Sequence, residues 1–458
     1  MCMKRLLIVL LFSGLMIPAV VLAGGIVTNS NQSASYVRML ARDASTSIDA
    51  VYYNPAGLTK LADGFHVSLS NQSIFQKKTI ENSYPLLNEK KFVGDVAAPL
   101  FPSFYAVYKK EKLALSFGFQ PNSGGGSAKY NNGLPSFEIP FSFIPAALSS
   151  LYGAGFCTQY SADILFEGTS IFWGAQLNAS YALSDMISVS AGSRMIIAKN
   201  TYKGHIKNVM INPQHPLINP SGGLMSANAF FTAAGNAAYA AATSDQEVDS
   251  KQTGTGYTPI LGVNLTLSEK LNIGLRYEFN TKLELENSTT KDLVVPQFTD
   301  GAKIRSDIPA ILSIGIGYKL LPQMRVSTGM HYYFDKNATI EKAPGVKKDI
   351  SGNLYEIALG GEYDITDKVL ISAGYLYAKT GVGQGYQTDL SHSLTSNTVG
   401  FGGAVKVTEK MQLNLGMLYT MYTSDAKTIT YPTYGNLSAK ETYNRTNIDF
   451  SIGVDYHF

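Results

Sequence analysis

The chain has few side chains that could catalyse a reaction, and none of them stands in a known catalytic motif. None of its histidines lies in a Gly-x-Ser-x-Gly or His-Glu-x-x-His context. The six histidines are His66, His205, His215, His331, His392 and His457. There is also no phosphate-binding loop that could couple to ATP. We therefore predict no catalytic residue, no metal and no cofactor, with an ester-hydrolysing barrel as an alternative.

The most distinctive stretch is Asp43–Leu61, which reads DASTSIDAVYYNPAGLTKL. At its centre Pro55 fixes φ and lacks an N–H, Asn54 tolerates turn geometry, and Gly57 accepts positive φ. Together with Ala56 they predict a rigid, compact bend rather than a strand. Two interpretations stay open at this point, namely a surface turn before a sheet and a plug folded inside a barrel.

The N-terminus has the form of an export signal. Lys4 and Arg5 precede the apolar run Leu6–Val21, and small residues follow it. We predict a signal peptide over residues 1–23, since the run is short for a membrane-anchoring helix. Removal of Cys2 with the signal would leave Cys157 alone, so no internal disulfide is expected.

Composition and periodicity indicate a sheet that faces lipid. Charged residues make up 16% of the chain, and glycine accounts for 42 of its 458 residues. The net charge of +3 is too small to indicate nucleic-acid binding. In the C-terminal strand the apolar residues Ile448, Phe450 and Ile452 alternate with Asp449 and Ser451.

The turns predict the topology. Tight polar turns are expected at 109–112, 183–186, 267–270, 320–323, 364–368 and 407–410. Longer loops are expected near Lys78–Pro99, Pro121–Glu167, Met210–Gly254, Ser288–Ser306, Asn337–Asn353, Gly383–Ser393 and Tyr431–Asn444. This alternation predicts an all-β fold, a transmembrane antiparallel β-barrel of about fourteen strands of about 11 to 18 residues over residues 65–458.

A barrel of this size encloses a lumen too wide for its own side chains to fill. The segment between the signal and the first strand carries apolar residues that need cover, among them Tyr36, Leu40 and Val51. We predict that residues 24–64 form a hatch inside the lumen. The alternatives are a periplasmic tail and an open, general porin.

The loop from Met210 to Gly254 contains an alanine-rich segment, Met225–Ala242, that favours a helix. Four of its residues give it an apolar surface: Phe230, Phe231, Ala234 and Tyr239. An apolar helix in an external loop is unusual, because loops normally face water. It predicts either a capture site for a hydrophobic ligand or a helix packed on neighbouring loops.

The third strand, which begins at Leu113, reads LALSFGFQPNSGGGSAKY. Proline and consecutive glycines favour a bulge or break in a strand. We predict a kink formed by Gly118, Pro121, Gly124 and Gly125 that opens the barrel wall sideways. The alternative is that the strand ends at this point and a loop begins.

The DAST and YYNPAGL elements resemble the FadL/TodX family of outer-membrane transporters for long-chain fatty acids and aromatic hydrocarbons. Asn54, Pro55 and Ala56 carry the specific part of the resemblance. It implies a lumen-blocking hatch, a hydrophobic site on the outer loops, an inner pocket, and a kinked third strand that opens laterally. It also implies a monomer in the bacterial outer membrane that contacts membrane lipid and hydrophobic small molecules. Because the sequence has no phosphate-binding loop, we expect uptake to be passive.

Three arginines on the polar faces of their strands, Arg194, Arg276 and Arg325, are candidates to bind a carboxylate head group in the lumen. The alternative for each of them is a salt bridge that fills the lumen. The possible partners of such salt bridges are Glu278, Glu356 and Glu362.

Overall fold

The computed structural model describes residues 26–291 and 298–458, so the predicted signal peptide and its cleavage site lie outside the described residues. The described helices are α1 (Ala34–Arg38), α2 (Ala50–Tyr53), α3 (Pro135–Ser142), α4 (Ile144–Tyr152), α5 (Ala227–Ala233) and α6 (Ala237–Ala242). Among the described residues, short 3-10 helices span Pro55–Lys60 and Asp335–Asn337. Within the described ranges no helix has both the length and the apolar composition that crossing a bilayer requires.

The strands, in chain order, are β1 (Gly64–Asn82), β2 (Lys91–Lys110), β3 (Leu113–Tyr130), β4 (Tyr160–Ala182), β5 (Ile187–Ile211), β6 (Met225–Ser226), β7 (Gln246–Thr266), β8 (Leu271–Glu278), β9 (Glu284–Lys291), β10 (Lys303–Arg305), β11 (Ile311–Leu321), β12 (Met324–Tyr333), β13 (Glu341–Ala343), β14 (Val346–Lys347), β15 (Tyr355–Asp364), β16 (Val369–Lys379), β17 (Ser396–Lys406), β18 (Met411–Tyr422), β19 (Asp425–Tyr431) and β20 (Leu437–His457). All of them except the β13–β14 hairpin belong to one sheet.

The sheet closes on itself because β1 pairs antiparallel with β20, from His66 opposite His457 to Asn82 opposite Glu441. Three pairs of strands, β8 with β9, β10 with β11, and β18 with β19, are interrupted halves of single strands, and β6 is a two-residue addition. The barrel therefore has fourteen strands, as predicted from the turns.

All six predicted tight turns lie between consecutive strands of the barrel. Strands β3, β11, β16, β17 and β18 have the predicted length of 11 to 18 residues. Several others are longer than predicted, and the loops next to them are correspondingly shorter. The longest, β5, has 25 residues, and β4 has 23. Their outer ends are rich in polar residues and glycine, which look like loop in the sequence but pair with neighbouring backbone in the structure.

Side chains alternate across the wall as the period-2 pattern predicts. On β1 the side chains of Leu69 and Phe75 are exposed on the outside, at 61% and 47%, whereas Ser70 and Gln72 are buried on the inside. The outer surface is thus apolar and the inner surface polar, as a wall in lipid requires.

The N-terminal segment lies within this polar interior. Nearly every residue from Ile26 to Thr59 is buried, and Asn31 donates from its side chain to Gln72 of β1 (2.8 Å) and Asp449 of β20 (3.3 Å). Helix α1 begins where the Ser33 hydroxyl accepts from the N–H of Tyr36 (3.0 Å). We call the described residues 26–62 the hatch.

A buried apolar cluster, the loop cluster, connects the extracellular loops with the outer ends of the strands. It includes Tyr84, Phe92, Phe137, Ile139, Phe141, Leu148, Phe230, Phe231 and Leu390. Burial of this much aromatic surface stabilises a layer of loops that would otherwise expose its backbone to water.

Candidate functional site

The Asn54 motif joins the hatch to the wall. Helix α2 ends at Tyr53, and the Asn54 side-chain amide donates to the carbonyl of Ser45 (3.0 Å) and to Asn264 of β7 (2.7 Å). Pro55 opens the 3-10 helix, where its missing N–H costs nothing. Its carbonyl accepts from the Ser180 hydroxyl of β4 (2.7 Å). The predicted compact bend is therefore bonded to two strands.

Gly57 is needed here for a different reason from the one predicted. It is absent from the glycines with positive φ. A Cβ at this position would lie 2.5 Å from Asn54 Nδ2 and 2.6 Å from the carbonyl oxygen of Ser45. Close approach of the polypeptide, rather than a left-handed conformation, excludes larger residues.

Buried charges connect the hatch to the opposite wall. Arg38 lies 2.5 Å from Glu362 of β15, and Arg42 pairs within the hatch with Asp49 (2.7 Å). Asp43 lies 2.7 Å from the imidazole of His331 on β12. These groups satisfy one another inside the lumen, where an unpaired charge would be costly.

Two of the arginines that were predicted to bind a carboxylate head group contact a residue of the hatch instead. Arg194 pairs with Glu278 at 2.7 Å, and Arg276 pairs with the same carboxylate at 3.4 Å. Both guanidinium groups lie over the ring of Tyr52, at 4.8 and 4.9 Å from its centroid. Arg276 also donates to the Tyr52 carbonyl. In this structure the two arginines are committed to the hatch rather than open to a ligand.

The third predicted arginine, on β12, lies next to the tight turn at 320–323. Arg325 bonds Asp364 at 2.6 Å and Glu362 at 3.2 Å. The salt-bridge alternative therefore describes all three arginines, with Glu278 and Glu362 as partners. Glu356 instead accepts from Tyr333 and lies 2.8 Å from His331.

Glycines on the inner wall let the hatch backbone lie directly on the strands, a relationship that the sequence analysis missed. A Cβ on Gly400 would lie 2.5 Å from the Val37 carbonyl oxygen, and one on Gly374 would lie 2.6 Å from the Leu40 nitrogen. A Cβ on Gly315 would lie 2.4 Å from the carbonyl carbon of Asp43. We call these inward-facing positions the glycine belt: Gly274, Gly315, Gly329, Gly360, Gly374, Gly400, Gly402, Gly416 and Gly453. The available signal was glycine recurring at inward positions of consecutive strands.

A cavity of about 40 Å³ lies at the N-terminal end of the hatch. Its lining combines apolar side chains with polar ones, and Glu341 and Lys348 are the charged members. The residues that line it are Ile26, Val27, Ser123, Ser170, Phe172, Asn200, Leu285, Ile304, Ser306, Ile340, Glu341, Lys348 and Tyr386. The ammonium group of Lys348 lies 5.1 Å from the centroid of the Tyr386 ring and donates to Ser391 (3.0 Å). Burial lowers the pKa of Lys348 to about 8.

The wall is interrupted beside this cavity. Pairing of β2 with β3 stops after Ala97 opposite Ser127 and resumes at Phe104 opposite Phe119. Strand β3 nevertheless continues to Tyr130, so the alternative in which the strand ends at Pro121 is wrong. Residues 98–103 still pair with β1 and residues 120–126 with β4, so only the contact between β2 and β3 is missing. We call this stretch, residues 98–103 with 120–126, the wall break.

Three of the four predicted kink residues lie in the wall break. The register against β4 shifts at Pro121 and again at Gly124, which has φ +67°. Gly125 has φ +123° and packs on the ring of Phe101. Gly118, in contrast, is regularly paired with Tyr105 and is not part of the interruption.

The sequence itself assigns the chain to a protein family whose members are expected to have this architecture. The profile described as outer membrane protein transport protein (OMPP1/FadL/TodX) matches residues 158–458, about two-thirds of the chain. The chain belongs to this family. It is accordingly an outer-membrane β-barrel transport protein of the FadL/TodX type, a family that transports hydrophobic compounds.

Solved structures of FadL/TodX proteins share the fold. A FadL homologue from Pseudomonas aeruginosa is 12% identical, with 95% of this chain and 100% of that chain covered and a TM-score of 0.66. The toluene transporter TodX from P. putida is 14% identical over 90% and 95% of the two chains, with a TM-score of 0.59. The toluene transporter TbuX from Ralstonia pickettii is 14% identical over 90% and 94%, with a TM-score of 0.53. The comparison with curated proteins gave no match.

Only some of the residues that were predicted to capture a ligand lie together in this FadL/TodX barrel. The single helix predicted over 225–242 is two short helices, α5 and α6, separated by Gly235 with φ +72°. Phe230 and Phe231 are buried in the loop cluster, Tyr239 stacks on Phe231, and Ala234 is exposed. The two phenylalanines therefore fit the alternative prediction, a helix packed on neighbouring loops.

The loops do expose apolar side chains elsewhere. Leu151 and Tyr152 of α4 are 69% and 61% exposed, and Leu217 is 90% exposed. Tyr152 contacts Phe156, whose ring lies 6.5 Å from that of Phe230. A chain of aromatic contacts thus leads from the outer surface to the loop cluster.

Proposed function

We propose that this barrel takes up hydrophobic small molecules passively, by capture on the outer loops, passage above the hatch and lateral exit through the wall break. The observation that carries this proposal is the stretch in which β2 and β3 do not pair with each other, beside a cavity lined by both apolar and polar residues. A wall in lipid normally satisfies every backbone group by pairing, so an interruption of this length is functional.

The first step is capture. Leu151, Tyr152 and Leu217 offer an apolar surface to a ligand that leaves water. The ligand then moves along Phe156 towards Phe230 and Phe231, which requires the loop cluster to open. Tyr239 and Ala234 flank this entry.

The second step is occupation of the inner cavity. At about 40 Å³ the cavity holds little more than one or two water molecules, far less than a fatty acid or toluene needs. Ile26 and Val27 of the hatch form part of its lining. Displacement of this end of the hatch therefore creates the space, and occupation by ligand is coupled to hatch movement.

The third step is exit. Asn29 bonds the backbone of the wall break, through its side chain to the Gly124 carbonyl (2.8 Å) and through its N–H to the Asn122 carbonyl (2.9 Å). The hatch thus seals the break from inside. When residues 26–29 move, the break opens next to the apolar patch of Ile74, Ala98 and Phe101.

Solved neighbours include transporters described for toluene and a homologue of FadL. We propose a substrate range of long-chain fatty acids and aromatic hydrocarbons, and a monomer as the working unit, since one chain closes the barrel. No energy source is required, because consumption inside the cell maintains the gradient.

The test is uptake of tritiated oleate and labelled toluene by cells that lack their own transporter. Ala98→Trp fills the wall break from inside and is expected to reduce uptake at least fivefold. Ala97→Trp, on the neighbouring outward position, is the matched control and should transport normally. Wild-type uptake no greater than that of empty vector, with the protein inserted, would reject the proposal. Large conductance in planar bilayers that is unchanged by deletion of residues 24–62 would favour a general porin instead.

A further inference from the structure

The outer surface of the barrel carries a row of alternating charges. Each member of the row stands opposite a residue of the other sign on the next strand of the wall. In order around β1, β2, β3, β4, β5, β7 and β9 the members are Lys77, Asp95, Lys129, Glu167, Lys203, Asp249 and Lys291. We call this row the charge ladder. The residues on either side of Lys77, Asp95 and Lys129 in the chain are buried, so these three side chains point away from the lumen.

The charge ladder lies directly above the apolar band of the wall. One outward position below Lys77 on β1 is Phe75, whose side chain is exposed. On β5 the exposed Ile197 is likewise followed by Lys199 at the next outward position. Charged side chains on the lipid face are costly within the hydrocarbon and tolerated at its border. The ladder is therefore at the level where lipid head groups meet the protein.

An open groove of about 620 Å³ lies on this outer surface, at the end of the charge ladder next to β20. Its charged lining is the part of the ladder from Lys77 to Glu167, and Phe75, Tyr419 and Ile448 are apolar members. We call it the outer groove. Its volume is within the range of about 300–1,000 Å³ that small-molecule sites occupy.

The outer groove borders the wall break on the lipid side. Ala97 and Ser127, which also line the groove, form the last pair between β2 and β3 before their contact is interrupted. A molecule in the outer groove therefore lies against the edge of the break from outside, where the hatch contacts it from inside.

The charges of the outer groove are accessible to a ligand. The ammonium group of Lys77 lies 3.8 Å from Asp95, and the two side chains are 60% and 70% exposed. Exposed pairs of this kind contribute little to stability, so rearranging them around a ligand costs little. Lys129 is exposed as well and stands between Asp95 on β2 and Glu167 on β4.

The alternation of sign favours one kind of head group. Ammonium groups bind phosphate oxygens, and carboxylates bind Mg²⁺ or Ca²⁺ through oxygen. A layer of phosphorylated lipid that is bridged by divalent cations presents negative and positive sites side by side, so it complements a surface on which cations and anions alternate. The apolar members of the groove complement the acyl chains of the same lipid.

We propose that the outer groove binds a phosphorylated lipid of the outer leaflet. Lys77 and Lys129 bind its phosphate, and Asp95 between them binds a divalent cation that bridges this phosphate to the next head group. An acyl chain lies along Phe75 and Ile448. The bound lipid covers the wall break from outside. The inference concerns lipid binding and does not depend on which compound the barrel transports.

The experiment measures binding of fluorescent diphosphoryl lipid A to the purified full-length barrel in detergent with Mg²⁺. The wild type is expected to bind lipid A more tightly than fluorescent phosphatidylcholine. The double variant Lys77→Gln/Lys129→Gln is expected to bind lipid A about tenfold more weakly, through the loss of two exposed charge contacts, and phosphatidylcholine unchanged. Asp95→Asn should remove the increase in affinity that Mg²⁺ gives the wild type.

The matched control is the double variant Lys110→Gln/Lys270→Gln, which removes two exposed lysines from the tight turns at the opposite rim of the barrel. It should bind lipid A as the wild type does. An equal loss in this control would indicate a general effect of net charge and would overturn the site. Unchanged lipid A binding by Lys77→Gln/Lys129→Gln would overturn it directly.

The remaining outcomes concern the ligand. Wild-type binding of phosphatidylcholine as tight as that of lipid A would show that the head group is not selected and would overturn the assignment. Inorganic phosphate competing as strongly as unlabelled lipid A would indicate a small-anion site without acyl contacts, which also overturns it. Each of these results leaves the proposed transport standing, because uptake of oleate and toluene is measured separately, and a failure of uptake leaves the lipid site standing.

Discussion

The imidazole of His331 on β12 lies 2.7 Å from the carboxylate of Asp43 in the hatch. The other ring nitrogen of His331 lies 2.8 Å from Glu356, so the imidazole bridges a carboxylate of the hatch and a carboxylate of the wall. The contact is almost completely buried. It therefore acts as a latch that holds the hatch against the strands, and it is the contact that any hatch movement at this level has to break.

Replacement of Asp43 by alanine is expected to loosen the hatch without unfolding the barrel. Removing one partner of a buried ion pair costs about 3 kcal/mol, so amide hydrogen exchange over residues 37–44 should become about a hundredfold faster. Mass spectrometry of exchanged peptides measures this. Asp95→Ala, which removes an exposed pair with Lys77 at 3.8 Å, is the control and should leave exchange unchanged. Identical exchange in Asp43→Ala and wild type would contradict the latch.

Replacement of Gly315 by alanine is expected to displace the hatch, because the new Cβ would fall 2.4 Å from the carbonyl carbon of Asp43. Gly317→Ala on the same strand is the matched control, since its Cβ would meet Ala44 at an ordinary 3.5 Å. Limited proteolysis of the hatch measures the difference, while the heat-modifiable mobility of the barrel should stay the same in both variants. Equal protease resistance of the two variants would show that the glycine belt does not determine the position of the hatch against the strands.

Replacement of Asn54 by leucine is expected to impair transport several-fold without preventing barrel assembly. The leucine cannot replace the hydrogen bonds to Ser45 and Asn264, and the carbonyl oxygen of Ser45 would lose this donor, whereas Asn264 Oδ1 keeps its bond from Asn272. Uptake of labelled substrate, normalised to the amount of inserted protein, measures the effect. Asn397→Leu, on β17, is the control because that residue bonds Tyr375 at an exposed position. Normal uptake by Asn54→Leu would refute the gating role of the motif.

Replacement of Asp335 by asparagine is expected to stabilise the loop between β12 and β15 at alkaline pH. Burial raises the pKa of Asp335 to about 7, from an ordinary value of 3.8. Because the pKa of Asp335 is raised in the folded state, folding favours the protonated carboxyl. The contribution of this carboxyl to the stability of the loop is therefore complete below about pH 4 and is lost as the pH rises through 7. The amide still accepts from the N–H of Leu354 (2.9 Å) and carries no charge.

Hydrogen exchange of the loop peptides at pH 5 and pH 8, corrected for the intrinsic rate, checks this prediction. The free energy of opening of the wild-type loop should fall by on the order of 2 kcal/mol between pH 5 and pH 8, and that of the variant should fall little. A pH dependence shared by both proteins would place the titrating group elsewhere.

Local sequence signals were enough to predict the barrel, because a wall in lipid repeats one physical requirement along the chain. Ile448, Phe450 and Ile452 face lipid, their neighbours face the lumen, and short turns alternate with long loops, so face and topology can be read residue by residue. The Asn54 motif was equally readable, since proline and asparagine restrict the backbone locally wherever they stand.

The tertiary structure decided whatever depends on residues far apart in the chain. Arg194 and Arg276 converge with Glu278 on Tyr52, which precedes them by more than a hundred residues, and no period or motif encodes that meeting. Phe230 looked exposed because a loop helix has no visible partner in sequence, yet the loop cluster covers it. Close approach of distant backbone, rather than its own φ, explains Gly315, just as contact with the carbonyl of Ser45 explains Gly57. Alternation fixes which way a side chain points, but only closure of the barrel around the hatch determines what it meets.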